Sequence, residues 1–469
     1  MNFWDIPQSN KHAFILENGD KITYEELKKK TNCISFSLSE KFKKKCLGLI
    51  FASNKIDCIY AYLSALQANH AMLMLDQSVS SVLSKELVDE YKPDWIFTSN
   101  NDVCNFEDKY KVYLRTKEFC LIILKNKPAY ERFINKDLAL LLSTSGTTGS
   151  PKLVRLSYDN LSSNATSIKE FLKLTEDDRP ITSLPLFYSY GLSVLNSHLL
   201  TEATILLTDK SLIQREFWQF LKENEATSLA GVPYSYRMLL RMGFDNMIIP
   251  SLRTLTQAGG ALDHDLIERF YQVSLEKKYK FYVMYGQTEA TARISYVPFE
   301  KLDNKIGSIG LAIPNGQLEV DSTTSEIVYR GPNVMMGYCE KESDLSLGDV
   351  NKNVLYTGDI GYVDKDNFFY IKGRKSRFIK LFGLRINLDD IERYIEHQLN
   401  HIVACIGYDD QSILIFSEFE IQQIDILKKK VADRYSLHKR FITFITIDSI
   451  PLTRSNKVDY AFLMKEYHI

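Results

Sequence analysis

Leu141 to Lys152 reads LLSTSGTTGSPK. Six hydroxyl residues (Ser143, Thr144, Ser145, Thr147, Thr148 and Ser150), two glycines and a lysine fall within ten residues. Small side chains let backbone N–H groups approach phosphate oxygens closely, so the stretch suits a polyanion. The plain alternative is a solvated Ser/Thr/Gly turn. Gly146 and Lys152 have the spacing of the nucleotide P-loop, but Pro151 stands where its second glycine belongs and Leu153 where its Mg²⁺-binding hydroxyl belongs. A mobile lid over phosphates fits better. In Tyr285-Gly286-Gln287-Thr288-Glu289 a ring beside a glycine suits a stacked base, and Thr288 and Glu289 offer a hydroxyl and a carboxylate to hydrated Mg²⁺. Two further sets, Tyr356-Thr357-Gly358-Asp359 and Gly373-Arg374 with Lys380 and Gly383 to Ile386, read singly as turns.

Elements must bring these residues together. The apolar run Leu138 to Leu142 leads into the first loop and a polar, helix-like stretch follows from Tyr158, which puts the loop at a strand end. Apolar runs at Cys46 to Phe51, Ala71 to Leu75 and Trp95 to Phe97 alternate with helix-like Asp57 to Gln67 and Ser84 to Tyr91, the βα rhythm of parallel sheets. The rhythm resumes with Ala203 to Leu207, helical Gln214 to Asn224, Ser228 to Gly231 and helical Leu262 to Glu276. From Gly307 it shortens to hairpin-like strands at Gln317 to Val320, Glu326 to Tyr329, Ile360 to Val363 and Phe368 to Lys372, the last two joined by the turn Asp364 to Asn367. Beyond Gly373 the chain turns basic (Arg374, Lys375, Arg377, Lys380, Arg385). The expected fold class is α/β: a large N-terminal domain of βα-layered sheets plus a β-rich subdomain (1–374), with a small mobile α+β C-terminal domain (375–469).

Composition narrows the partners. The 469 residues, 45% of them hydrophobic, are ample for at least two cores. With 58 basic against 59 acidic residues there is no basic footprint for nucleic acid or an anionic membrane. The start, MNFWDIPQSN, lacks a basic segment followed by an apolar run, and no stretch approaches the roughly 18 apolar residues of a membrane span, so a cytosolic protein is expected. Seven dispersed cysteines without a CxxC pair argue against a disulfide framework or zinc site and for reduced core residues.

The order of the motifs carries more than any one of them. LLSTSGTTGSPK, QAGGAL, YGQTEAT, GPNVMMGY, YTGDIGYVDKDNFFYIKGRKSRFIKLFGLRINLDDIE and PLTRSNKVDY together resemble the adenylate-forming superfamily of acyl-CoA synthetases, peptide-synthetase adenylation domains and luciferases. The resemblance runs from Tyr24–Leu27 to the closing NKVDY. It implies that a carboxylate attacks the α-phosphorus of Mg-ATP to give acyl-AMP and pyrophosphate, and that a thiol then takes the acyl group and releases AMP. By motif position, Thr144, Ser145, Gly146, Thr147, Thr148 and Lys152 hold the β- and γ-phosphates. Tyr285 and Gly286 receive adenine, Gly259, Gly260 and Ala261 line the same slot, and Asp359 with Arg374 binds the ribose hydroxyls. Glu289, beside Thr288, holds Mg²⁺. Lys457 matches the lysine that neutralises charge at the α-phosphate, with Lys152 as helper. The family rotates its small domain between half-reactions, which gives the hinge to Lys375 and Ser376 and the thiol tunnel to the segment around Gly383. Ser376 departs from the Asp or Lys usual at the pivot.

Pro185 to Leu192, PLFYSYGL, is similar to the acyl-pocket string of acyl-CoA synthetases, with Tyr188 in place of histidine, and offers Tyr188, Tyr190 and Gly191 to the acyl group. Peptide-synthetase domains place an aspartate in this region for the substrate's amino group; none lies between Leu184 and Leu195. A carboxylic acid without an amino group is favoured, because an unpaired ammonium there is costly; an aspartate elsewhere in the chain is the alternative partner for an amino acid. Twelve residues follow Lys457, so the acceptor thiol is expected on a separate molecule: coenzyme A, or the phosphopantetheine of a free carrier protein. Three readings stand: an acid–CoA ligase, an amino-acid-activating enzyme that loads a separate carrier protein, and a non-catalytic nucleotide-binding regulator. The retention of Lys457, Glu289 and Asp359 weighs against the last.

Overall fold

Strands in which every residue is apolar are covered on both faces. Leu47–Ala52 is buried throughout: Leu47, Leu49 and Phe51 enter one core, Ile50 and Ala52 the other, as the two-residue period of a strand requires. The computed structural model describes residues 2–467 apart from 80, 127–131, 144–151, 382–383, 400, 408–411, 421–423, 436 and 454–456. By compactness the described residues fall into two units, one drawn from 2–143, 152–317 and 329–355, the other from 318–328 and 356–467. Compactness thus groups the hairpin Val354–Val363 and Phe369–Arg374 largely with the C-terminal part; where a chain pivots is a separate matter from where it packs.

The first unit holds two large sheets. One orders its strands Gly337–Cys339, Leu153–Ser157, Leu138–Ser143, Ala71–Asp76, Leu47–Ala52, Trp95–Ser99, Phe119–Leu124 and Tyr110–Arg115. In the other, Pro180–Ile181, Ser228–Gly231, Thr254–Gln257 and Lys280–Tyr285 run parallel in that order. Parallel neighbours need crossovers, and the helices Pro233–Arg241 and His264–Lys277 supply two of them. Everything that follows these parallel strands therefore gathers at their carboxyl ends, where open α/β sheets bind ligands.

In the second unit a four-stranded sheet runs Gln317–Val320, Glu326–Arg330, Val354–Val363, Phe369–Arg374. The expected turn closes with Asp364 N donating to Phe368 O (2.9 Å) and Asn367 at φ 64°. Beyond it, Ile391 and Ile395 of the helix Leu388–Leu399 pack on Val403, Cys405, Ile413 and Ile415 of a three-stranded sheet. The mixed α/β architecture read from the apolar rhythm is the one that forms. Five of the seven cysteines (Cys46, Cys58, Cys120, Cys339, Cys405) are buried free thiols.

Candidate active site

The carboxyl ends of Thr254–Gln257 and Lys280–Tyr285 lie side by side, with Gln257 paired to Val283. Gly259 adopts φ 88°, and buried Gln257 donates Nε2–H to Gly260 O (2.9 Å), holding the Gly259-Gly260-Ala261 turn at the rim. Tyr285 is half-buried. At Gly286 a Cβ would lie 1.8 Å from Ala292 O, so glycine here follows from two backbones touching rather than from a ligand. Thr288–Ala290 forms one 3₁₀ turn, and Thr288 Oγ1 meets Ser189 Oγ at 3.2 Å.

Glu289 and Lys152, far apart in sequence, meet the same tyrosine. Tyr338 donates its O–H to Glu289 Oε1 (3.0 Å), and Lys152 Nζ lies 5.9 Å from its ring centroid while pairing with Glu340 Oε1 (2.9 Å). Burial and the Glu289 carboxylate push the Tyr338 hydroxyl up, so it keeps its proton and acts as a donor. Tyr338 is itself pinned by Arg155, whose Nε donates to Tyr338 O (3.0 Å). Among the described residues no group of three or more His, Cys, Asp or Glu side chains forms a metal cage. A cation at Glu289 would rest on one carboxylate, water and its substrate's oxygens, the mode that suits Mg²⁺.

The acyl-pocket string forms the start of the helix Ser189–Leu199. Tyr190 is buried, its hydroxyl 2.8 Å from Thr256 O; Tyr188 is half-buried, its ring centroid 6.2 Å from that of Tyr190. Gly191 packs directly on the backbone of Leu184 and Pro185. Against Tyr190 stands a residue the sequence did not single out, Arg293, its guanidinium carbon 3.7 Å from the ring centroid. Asn333, also unread, staples the turn between them: Nδ2 donates to Ala290 O (2.8 Å) and Arg293 O (2.9 Å), and Asn333 O accepts from Thr291 Oγ1 (2.7 Å). Both Asn333 and Tyr338 lie in GPNVMMGY, a string whose sequence offers no hint of which side chains turn inward.

In the second unit Asp359 and Arg374 are register partners on adjacent strands. Asp359 is 2% exposed, with Arg374 Nε 3.3 Å from its Oδ1. Glu326, missed in the sequence, accepts from Gly358 N (2.9 Å) and pairs with Lys375 Nζ (3.3 Å), joining the Asp359 turn to the expected hinge. Lys375, Ser376 and Arg377 make a 3₁₀ turn. Arg377 donates to Asp389 (2.7 Å), Glu392 (2.6 Å) and Cys405 O (2.7 Å) and lies 4.0 Å from the Tyr460 ring centroid; Tyr460 also donates to Glu392 (2.8 Å). Burial pushes the Glu392 carboxyl up to about 7, with Arg377 opposing. Lys457 sits in a turn closed by the Leu452–Val458 bridge, its N–H donating to Thr453 Oγ1 (3.2 Å). The Arg377 cluster thus ties the turn of Lys375, Ser376 and Arg377 to the helix that begins three residues after Lys457. Thr144, Ser145, Gly146, Thr147, Thr148 and Gly383 lie outside the described residues.

A family model described as AMP-binding enzyme matches residues 6–339. The chain is 29% identical over 312 residues to a 2-succinylbenzoate–CoA ligase of Bacillus cereus, a match that covers 64% of this chain and 63% of that protein. It is 24% identical over an alignment of 506 residues to a D-alanine–D-alanyl carrier protein ligase of Bacillus anthracis, covering 99% of this chain and 98% of the other. Its fold matches that of o-succinylbenzoate CoA synthetase from Bacillus subtilis in complex with the acyl-adenylate intermediate OSB-AMP, with a TM-score of 0.81 and 22% identity over 99% of this chain and 98% of that one. The same synthetase in complex with ATP and magnesium ion matches with a TM-score of 0.78 and 21% identity over 96% of both chains.

Proposed function

Because the chain belongs to the AMP-binding enzyme family, we propose that it is an ATP-dependent, AMP-forming acid–thiol ligase. The observation that carries the reading is the convergence of Glu289 and Lys152 on Tyr338, beside the Tyr285 and Gly259 turns at the carboxyl ends of the parallel strands. An ammonium and a metal-binding carboxylate are what a triphosphate demands.

In the first half-reaction the carboxylate of the acid attacks the α-phosphorus of ATP and pyrophosphate leaves. Tyr285 stacks on adenine, with Gly259, Gly260 and Ala261 lining the slot and Gly286 next to the ring in the chain, and Thr288 stands beside the phosphates. Asp359, oriented by Arg374, accepts hydrogen bonds from the ribose hydroxyls. Thr144 to Thr148 and Lys152 hold the β- and γ-phosphates. Glu289, steadied by Tyr338, would hold Mg²⁺, which supplies charge neutralisation on the phosphate oxygens. Lys457 stabilises the negative charge that builds between the carboxylate and the α-phosphate. In the second half-reaction a thiol attacks the acyl carbon and AMP leaves. The chain pivots at Lys375 and Ser376, between a body of residues 1–374 and a moving part of residues 375–469. That motion withdraws Lys457 and brings Gly383 to the thiol's path. Tyr188, Tyr190 and Gly191 bound the acyl group.

Coenzyme A is the leading acceptor. A separate carrier protein is the alternative, and it is supported by the end-to-end match to the D-alanyl carrier protein ligase. The reading places the protein in the cytosol, without nucleic acid as a partner; among the described residues no helix is long and apolar enough to cross a membrane.

The test is acid-dependent exchange of labelled pyrophosphate into ATP, with no thiol present, across fatty, aromatic, hydroxy, dicarboxylic and amino acids. Exchange with one class supports the reading; ATP binding without exchange for any acid overturns it. Lys457→Ala should lower exchange by about 10²-fold or more and spare thioester formation from supplied acyl-AMP. Equal loss of both half-reactions would contradict the role given to Lys457.

A further inference from the structure

Arg293 is 2% exposed, yet among the described residues no carboxylate pairs with it. Its Nε has no hydrogen-bond partner. Its guanidinium lies over the face of Tyr190, whose hydroxyl is already committed to Thr256. Gln287, in the same turn, carries a second buried donor, Nε2, without an acceptor. Within Gln287 to Arg293 both orphaned side-chain atoms are donors; the neighbouring Asn164, whose Nδ2 donates to Arg293 O (3.2 Å), adds an orphaned acceptor, Oδ1, but no charge to pair with the guanidinium. A guanidinium stays charged in a protein. Buried charges are otherwise paired or hydrogen-bonded.

The geometry points to Arg293 as a specificity residue that pairs with a second anionic group on the substrate acid. The inference rests on the ligase reading, because it takes Tyr188 and Tyr190 as the acyl wall. The reacting carboxylate cannot be Arg293's partner throughout: it loses its charge when it forms the mixed anhydride with AMP, and the arginine would be stranded midway. A carboxylate elsewhere on the acid keeps its charge through both half-reactions. The same guanidinium repels a substrate ammonium, which agrees with the lack of an aspartate between Leu184 and Leu195. The substrate class is therefore a dicarboxylic acid, not an amino acid or a simple fatty acid.

Matched pairs of acids test this in the pyrophosphate exchange assay: succinate with butyrate, glutarate with pentanoate, adipate with hexanoate, phthalate with benzoate, and D-alanine alongside. The wild-type protein should use at least one dianionic acid with kcat/KM about 10²-fold above its monoanionic partner. Arg293→Met should erase that preference by raising KM for the dianionic acid, with KM for ATP unmoved. Arg293→Lys should recover part of the preference.

Preference of the wild-type protein for a monoanionic acid or for D-alanine would overturn the inference and leave the ligase reading intact. So would a rise in KM for ATP in Arg293→Met that is equal with every acid, since Arg293 would then serve the nucleotide. If the methionine variant fails to fold, the wild-type panel still decides. If no acid supports exchange, the ligase reading fails, and thermal stabilisation by the same dicarboxylates then judges Arg293: a Tm rise in wild type that is smaller in Arg293→Lys supports the anion site, and no rise, or an equal rise in both, overturns it.

Discussion

Two arginines are wholly buried in the same unit, and their surroundings are opposite. Arg155, in the middle of Leu153–Ser157, is saturated. Nε donates to Tyr338 O (3.0 Å), Nη2 to Met336 O (3.0 Å), and Nη1 to Gly348 O (3.2 Å) and to Leu347 O. Even its space is reserved, because a Cβ on Gly337 would come within 2.9 Å of Nη2. Arg293 has an aromatic face and an orphaned Nε. Burial pushes both guanidiniums down from their ordinary range, but only Arg155 is compensated by the fold. A charge that the fold satisfies is a staple; a charge that it leaves unsatisfied is a demand on a ligand.

The sharpest way to break this contrast is Arg155→Met. It strands several buried carbonyls and detaches Gly337–Cys339, and should cost about 3–5 kcal/mol of stability, read from the denaturation midpoint. A loss below about 1 kcal/mol would deny it the role of staple. Gly337→Ala acts on the same pocket without touching charge. With φ at 125° and Val350 Cγ2 2.5 Å from the added carbon, it should cost about 2 kcal/mol, measured the same way. Arg293→Met should move stability in the other direction. Cation–π stacking is worth about 2 kcal/mol when desolvated, against several for an unpaired buried ion, so a neutral outcome or a gain of about 1 kcal/mol in the same unfolding experiment is expected. A loss like that of Arg155→Met would erase the distinction. The smallest effect belongs to Tyr338→Phe, which removes one hydrogen bond to Glu289, worth about 1 kcal/mol. It should raise the Mg²⁺ concentration for half-maximal exchange several-fold while the unfolding midpoint stays close to wild type.

The same contrast explains what could be read in advance. Leu47–Ala52, Ala71–Asp76 and Ser228–Gly231 were legible within a residue or so because an unbroken apolar run needs two covered faces. Leu153–Ser157 was not, because arginine at its centre signals a surface, and nothing local in LVRLS reveals that four distant carbonyls await it. The helix Ser189–Leu199 was legible as an aromatic stretch but not as a helix, since its residues are buried almost all round and show no polar stripe. Asp359 and Arg374 stood out as separate motifs; that they face each other follows from strand register alone. Arg293 closes YGQTEATAR, where it reads as one more polar residue after a recognised motif.

The sequence by itself determined the alternation of strands and helices, the mixed α/β class and the ordered motifs that mark the AMP-binding enzyme family, because periodicity and turn chemistry are local properties. The tertiary structure alone decided which buried arginine is held and which is left asking for a partner. Compensation of a buried charge depends on groups far apart in the chain, residues 336–348 for Arg155 and Tyr190 for Arg293, and those meet only when the sheets have formed.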